Sequence, residues 1–298
     1  MSACKDLAVS EMVNALSVDV EEYFQVEAFA QTINPHDWDK FPPRVERNVG
    51  IILDLLEKRS IKATFFCVGW VARKYPGVIK EIARRGHEIG SHGMTHRPLF
   101  RLTPEEFRQE VRESKRLLED LSGQRILGFR APTYSVTKKT LWGLEILAEE
   151  GYMYDSSIFP VKHDFYGFPE APRFPFRVKE LGLIEFPIST YKVGGLNLPV
   201  AGGGYFRLFP YGLTRFFLKR INRVERKPFV FYCHPWEFDP EQPRLPGPFK
   251  SKFRHYLNLD RTKGRFRNLL HDFRFDTLEN VLERLNRSGQ IESQSLVH

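Results

Sequence analysis

The stretch Gly86-His87-Glu88-Ile89-Gly90-Ser91-His92-Gly93-Met94-Thr95-His96 organises this chain. Glu88-Ile89-Gly90 reads as a short strand running into two histidines four apart, His92 and His96. In one helical turn, or in a tight loop after a strand, that spacing points both imidazoles at one centre. Glycines at 86, 90 and 93 let the backbone bend closely around it. Structural histidines can show the same spacing, and a zinc site normally takes a third protein ligand. The rest of the chain therefore has to supply a carboxylate ligand, a base and an acid.

Outward from that stretch, strands and helices alternate. Residues 14–20 form an apolar strand leading into the acids Asp19, Glu21 and Glu22. Residues 45–59 have helical spacing, 63–68 form a second strand, and 70–85 form a helix broken near Pro76-Gly77. Thr103-Pro104-Glu105-Glu106 is a capping box with proline at the first helical position, starting a helix to about Leu121. A strand at 126–129 ends in Arg130-Ala131-Pro132. Thr137 caps a helix through Glu150, Gly151 closes it, and 152–154 start another strand. This alternation predicts an α/β fold with a parallel sheet or barrel. Such sheets carry their chemistry at the carboxyl ends of the strands. Asp19, His92, Arg130 and Asp155 all fall there.

From about residue 160 to 204 the texture shifts to Pro, Phe and Gly, and Gly202-Gly203-Gly204-Tyr205-Phe206 reads as a turn rather than a lid. A basic helix is expected at 211–222. A strand at 228–233 ends in His234-Pro235-Trp236-Glu237, and 246–270 is basic and helical in pieces. A last strand at 275–276, a last helix at 277–286 and a frayed tail at 289–298 complete the reading.

The 298 residues, 42% hydrophobic and 28% charged, have ordinary globular composition with ample material for a core. The 26 Phe suit a thick core or a groove that stacks on sugar rings. Cys4, Cys67 and Cys233 show neither metal spacing nor even pairing, which favours a reducing compartment. Residues 1–11 contain no apolar h-region, and no run is long enough to span a membrane, so a cytoplasmic location is expected. Net charge is +8, with about fifteen Lys/Arg against about six acids between Arg215 and Arg274. That field suits an anionic substrate such as a lipid- or nucleotide-linked sugar, peripheral contact with a membrane, or simply a solvated basic face. The basic residues form no motif that reads nucleic acid. Oligomeric state is left open.

These pieces compose one hydrolytic site. His92 and His96 offer two nitrogens, and Asp19, Glu21 or Glu22 completes a two-His, one-carboxylate set with a position for water. A second carboxylate takes the proton. His234 is placed to protonate a leaving amine, and Arg130 to hold the base ionised and aimed. Asp155-Ser156-Ser157 reads equally as an N-cap or a catalytic helper.

Four motifs, in order, resemble the polysaccharide deacetylase family, the NodB-homology carbohydrate esterases. They are Ser17-Val18-Asp19-Val20-Glu21, Ser91-His92-Gly93-Met94-Thr95-His96, Arg130-Ala131-Pro132-Thr133-Tyr134 and Phe231-Tyr232-Cys233-His234-Pro235. The resemblance covers about residues 14–240, with a family-specific C-terminal region at 160–298 partly interleaved with it. It is nearest to a subgroup from exopolysaccharide loci with exosortase systems, which shares Val-Asp-Val-Glu-Glu-Tyr-Phe and His-Pro-Trp-Glu. It implies a distorted (β/α) barrel and metal-dependent N-deacetylation of an acetylated oligo- or polysaccharide during exopolysaccharide synthesis, with zinc the preferred divalent metal. It also implies Asp19 as base, His234 as acid, Arg130 as orienter of Asp19 and Asp155 as a helper of His234. Glu21, His92 and His96 become the metal ligands, and Pro132, Tyr134 and Trp236 substrate contacts, with a backbone N–H near Tyr134 for the oxyanion. Many members carry two adjacent Asp where Val20 here separates Asp19 from Glu21. Strand alternation puts those two on one side, and Glu22 is the alternative ligand. The D-x-E spacing is similar to a branch with cyclic-amide hydrolases such as allantoinase. Hydrolysis of a non-sugar amide and non-catalytic carbohydrate binding are the competing functions.

Overall fold

The computed structural model describes residues 12–163 and 166–296. Cys4 and the charged N-terminal stretch that bore on location fall outside the described residues. The strands are β1 (Val13–Val20), β2 (Thr64–Cys67), β3 (Glu88–Ser91), β4 (Gly128–Phe129), β5 (Tyr154–Asp155) and β6 (Phe176–Val178). They continue with β7 (Ile184–Glu185), β8 (Thr190–Val193), β9 (Leu196–Pro199), β10 (Val230–Cys233), β11 (Arg274–Asp276) and β12 (Glu292–Gln294). The helices are α1 (Val45–Glu57), α2 (Gly69–Lys74), α3 (Pro76–Arg84), α4 (Pro104–Ser122) and α5 (Trp142–Glu149). After them come α6 (Gly203–Leu208), α7 (Tyr211–Arg220), α8 (Phe249–Tyr256), α9 (Leu259–Asp272) and α10 (Leu278–Arg287).

The main sheet runs β10-β1-β2-β3-β4-β5-β7-β6-β12, with β11 also beside β1. All its pairs are parallel except β6–β7. The sheet curls into a half-barrel whose end strands do not meet, in keeping with the parallel sheet or barrel that the alternation predicted and with the distorted barrel that the resemblance implied. β8 and β9 form a separate hairpin. Because β10 and β11 flank β1, the late chain completes the sheet that the first strand begins.

β1 is covered on both faces, so its burial is nearly continuous rather than alternating. Leu16, Val18 and Val20 join the helix-side core with Val49, Ile52 and Leu56 of α1. Ala15 joins the opposite cluster with Phe66, Tyr154 and Tyr232, and alternation puts Ser17 and Asp19 on that inner side. Phe66 and Tyr154 fill this interior so tightly that Gly90 and Gly128 have no room for a side chain. A Cβ at Gly90 would lie 2.5 Å from the Phe66 ring, and one at Gly128 2.1 Å from Tyr154.

The capping box of α4 forms as its sequence demands. Thr103 Oγ1 accepts from the Glu106 amide (3.2 Å), Glu106 accepts from the Thr103 amide (2.8 Å), and Gly123 ends the helix at φ +69°. Three local expectations change. α5 starts at Trp142 rather than after Thr137, because the Thr140 hydroxyl accepts from the Thr137 amide (2.8 Å) and donates to the Ser135 carbonyl (2.7 Å). These bonds fold 137–140 into a turn. The glycine run is no simple turn: Gly202, at φ +136°, bridges to Tyr232 and starts α6. The expected frayed tail contains β12, which pairs with β6.

Candidate active site

Asp19, Glu21, His92, His96, Tyr134, His234 and Trp236 line one cleft of about 250 Å³ at the carboxyl ends of β1, β3 and β10. Glu21, His92 and His96 each offer a ligand atom, and these atoms lie within 4.8 Å of one another. His92 Nδ1 meets the Arg130 carbonyl at 2.7 Å, and His96 Nδ1 the Gln25 carbonyl at 3.0 Å. With each Nδ1 engaged by a backbone carbonyl, Nε2 is the nitrogen that each ring presents to the cluster, as metal-ligating histidines usually do. His96 Nε2 sits 2.6 Å from Glu21 Oε2, a contact that either a shared proton or a cation between the two atoms satisfies. Burial opposes charge on His96, but the Glu21 carboxylate raises its pKa. Burial pushes His92 down to about 4. Burial also works against ionised Glu21, yet His96, His234 and His92 hold its carboxyl well below the usual range. A buried carboxylate beside two oriented imidazoles fits a divalent metal.

The histidine loop is held by Glu110 of α4. Its Oε2 accepts from the amides of Met94 and Thr95 (2.8 Å each), and its Oε1 accepts from the Thr95 hydroxyl. His96 itself sits at φ +57°, in the left-handed region that a β-carbon disfavours. Glu22 resolves as a structural group: its Oε1 accepts from the amides of Arg44 (2.8 Å) and Val45 (3.0 Å), capping α1. It belongs to none of the described clusters able to hold a metal.

Asp19 is fixed from the barrel interior. Arg130, fully buried, donates from Nη1 to Asp19 Oδ1 (2.7 Å) and to the Ser17 hydroxyl (2.6 Å). Its Nε and Nη2 donate to the Ser156 carbonyl (3.0 Å) and hydroxyl (2.8 Å). The guanidinium lies 4.3 Å from the Phe66 ring centroid. Few rotamers satisfy all four bonds, so Asp19 is aimed rather than merely paired. Its Oδ2 lies 3.8 Å from His234 Nε2, with the Tyr134 hydroxyl 3.4 Å away.

His234 is held from behind by Glu237, not by Asp155. Glu237 Oε1 lies 2.6 Å from His234 Nδ1 and accepts from the His234 amide at 3.0 Å. Glu237 Oε2 accepts from Arg207 Nε at 2.7 Å. Arg207 in turn donates to the carbonyls of Arg254 (3.1 Å), His255 (2.7 Å) and Leu257 (3.1 Å). Burial lowers the His234 pKa, but Glu21, Glu237 and Asp19 together raise it to about 9. Burial disfavours ionised Glu237, and Arg207 and His234 bring its carboxyl below the ordinary range. The Arg207–Glu237–His234 chain was missed in the sequence. The signal available was Glu237 three residues after His234, within a capping box.

Asp155 lies elsewhere. Its Oδ1 accepts from the Ser157 hydroxyl (2.5 Å), and it is buried against Glu185, whose Oε1 accepts from the amides of Ser157 (3.2 Å) and Ile158 (2.9 Å). Burial raises both carboxyls, Asp155 to about 6. Pro132 is buried beside the cleft rather than lining it; Thr133 and Tyr134 line it instead. Those two residues sit at φ +59° and +52°, a strained pair at a functional wall. The Tyr134 amide donates to Ala131 O at 3.1 Å, so that N–H is not available to an oxyanion. Trp236 lines the cleft and also orients a ligand, its Nε1–H donating to Glu21 Oε1 at 2.9 Å.

Residues 37–154 match the family model "Polysaccharide deacetylase", and residues 156–283 match a "Domain of unknown function (DUF3473)". A peptidoglycan-N-acetylglucosamine deacetylase of Bacillus cereus is 35% identical over 95 residues, covering 32% of this chain and 34% of that protein. A peptidoglycan deacetylase of Helicobacter pylori is 28% identical over 155 residues, covering 50% of each. The chain thus spans a third to a half of the length of these relatives. A solved structure from Mycobacterium smegmatis, grouped with the polysaccharide deacetylases, superposes with TM-score 0.62 at 20% identity over 95% of this chain and 93% of that one. Puue allantoinase superposes with TM-score 0.60 at 15% identity, over 95% and 92%. At such identities these superpositions establish the fold alone. By these matches the chain is similar to polysaccharide deacetylases over part of its length.

Proposed function

We propose that this chain is a metal-dependent hydrolase that removes N-acetyl groups from an acetylated sugar or polysaccharide. One observation carries the reading. The Glu21, His92, His96 donor set stands in one cleft with a carboxylate fixed by Arg130 and an imidazole fixed by Glu237. Names of relatives support the substrate class, and the motif resemblance supports a place in exopolysaccharide synthesis. The oxygen–nitrogen donor set suits zinc.

Glu21, His92 and His96 would hold the metal, which supplies Lewis acidity toward the acetyl carbonyl when bound. Asp19 accepts the proton of the attacking water, with Arg130 keeping its second oxygen turned toward the cleft. His234 carries a proton at Nε2 and gives it to the sugar nitrogen as the carbon–nitrogen bond breaks, releasing acetate and a free amine. Glu237 balances the imidazolium that precedes this transfer. Trp236, stacked at 5.1 Å on His234, closes that side of the cleft.

Replacing Asp19 by Asn tests the assignment. Acetate release from N-acetylated oligosaccharides should fall by about 10²–10⁴-fold, the range for loss of a general base, while metal content stays unchanged. Near-normal turnover would rule out Asp19 as base. Parallel assay of cyclic imide opening separates this reading from an allantoinase-like activity.

A further inference from the structure

Ten large hydrophobic side chains stand in water among the described residues, and eight of them fall within 156–283, the segment matching a domain of unknown function. Five of these stand on two elements that touch one another, the β8–β9 hairpin and α7 with its continuation. Val193 and Leu196 flank the Gly194-Gly195 tip of the β8–β9 hairpin, with Leu196 76% exposed. Leu213 and Phe216 stand on α7, and Val224 on the π-turn Ile221–Glu225 that continues it. Leu213, Phe216, Arg220 and Val224 recur at intervals of three and four, a single stripe along the helix. The hairpin is fastened to that stripe. The Tyr191 and Phe217 rings lie 5.2 Å apart, and Arg220 Nε donates to the Tyr191 hydroxyl at 2.6 Å. The same guanidinium lies 5.6 Å from the Phe216 ring centroid.

Cations lie along the same hairpin and helix. Lys192, Lys219, Arg223 and Arg226 take part in no ion pair among the described residues. The nearby acids are already taken, Glu225 by Arg173 at 2.7 Å and Asp272, which faces Lys219, by Arg215 at 2.9 Å. A second copy of the chain on this face would set cations against cations, which disfavours a symmetric dimer. Nucleic acid would leave the apolar stripe without a partner. An anionic bilayer satisfies both features, since apolar tips enter the boundary between headgroups and acyl chains while the cations meet phosphates. We propose that the β8–β9 hairpin and α7 form a docking surface for an anionic lipid membrane. α7 follows directly on α6, which contributes Gly204 and Arg207 to the cleft, so docking would hold the cleft near the bilayer. The proposal does not depend on the hydrolase reading, because its readout is binding alone.

The test is co-sedimentation of the full chain with vesicles of phosphatidylglycerol and phosphatidylcholine against phosphatidylcholine alone. Binding is expected only to the anionic vesicles and should weaken as salt is raised. Leu196→Ser with Phe216→Ser should lower the vesicle partition coefficient by about tenfold or more. Arg223→Gln with Arg226→Gln should lower it too. All four side chains are exposed, so circular dichroism and Tm should stay unchanged. Equal binding to neutral vesicles, no binding, or binding that survives both double variants overturns the proposal. So does loss with Phe249→Ser, Phe253→Ser on α8 alone, or concentration-dependent dimerisation that the patch variants abolish without any lipid binding.

Discussion

Replacing Glu237 by Gln asks whether His234 is a tuned acid or only a cleft wall. Glu237 Oε1 lies 2.6 Å from His234 Nδ1, and the His234 pKa is about 9. With Glu21 engaged by a metal, Glu237 and Asp19 are the carboxylates that remain on the imidazole, and Glu237 is much the nearer. An opposite charge at such range shifts a pKa by about 1–3 units. A group that donates its proton works below its pKa, so loss of Glu237 moves the alkaline limb of kcat down by about 1–3 pH units. At the wild-type alkaline midpoint the protonated fraction then drops from about half to a tenth or less, a loss of roughly fivefold to several hundredfold, while about three pH units below that midpoint kcat changes by about twofold at most. The amide oxygen still accepts from Arg207, and the three carbonyls on that guanidinium remain. Breaking the charge pair costs at most about 3–5 kcal/mol of stability. The assay is acetate release across pH at a temperature well below Tm, with KM followed separately. A uniform fall in kcat with an unmoved alkaline limb would refute the idea that Glu237 tunes His234.

Purified protein should carry about one transition metal per chain, lost in the His92→Ala, His96→Ala double variant, as elemental analysis will show. Glu21→Gln should weaken metal affinity strongly, whereas Glu22→Gln should leave it intact and lower stability by roughly 1 kcal/mol through the α1 cap, read by calorimetry and metal titration. The buried Asp155 and Glu185 carboxyls have pKa values raised by burial, so the folded state holds protons that the unfolded chain releases. Their contribution is present below about pH 4 and is lost as pH rises through about 6 and beyond. Glu185→Gln should therefore gain stability relative to the wild type as pH rises from about 5 to about 8, and a pH-independent difference would contradict the shared burial.

Alternation of strand and helix, the capping box at Thr103 and the runs at 14–20, 63–68 and 228–233 made the sheet legible, because parallel strands buried on both faces must be nearly continuous in apolar residues. The convergence of Asp19, His92, Arg130 and His234 was legible for a related reason, since all four sit at or just after the carboxyl ends of such strands. What stayed hidden depended on partners distant in sequence. Glu110 looks like any polar position of a helix until the amides of Met94 and Thr95 are seen to need an acceptor. Glu22 and Glu21 differ by one residue, and only the approach of α1 separates a helix cap from a ligand. Asp155 shared the strand-end address of the others, yet a second buried carboxyl, Glu185, claims that neighbourhood.

The placement of Arg207 has a consequence for how the molecule divides. The donor set and the Arg130-held carboxylate come from residues 19–130, but the imidazole, its carboxylate Glu237 and the cation behind it come from 207–237. Arg207 is itself held by carbonyls of 254–257, and β10 and β11 both pair with β1. The segment matching a domain of unknown function thus shares both the cleft and the sheet with the segment matching the deacetylase family. Cutting the chain between them would leave β1 with an unpaired edge and the cleft without the imidazole proposed as its acid. Two separately expressed halves should neither fold cooperatively nor release acetate, whereas a single chain nicked in an exposed loop should keep both properties.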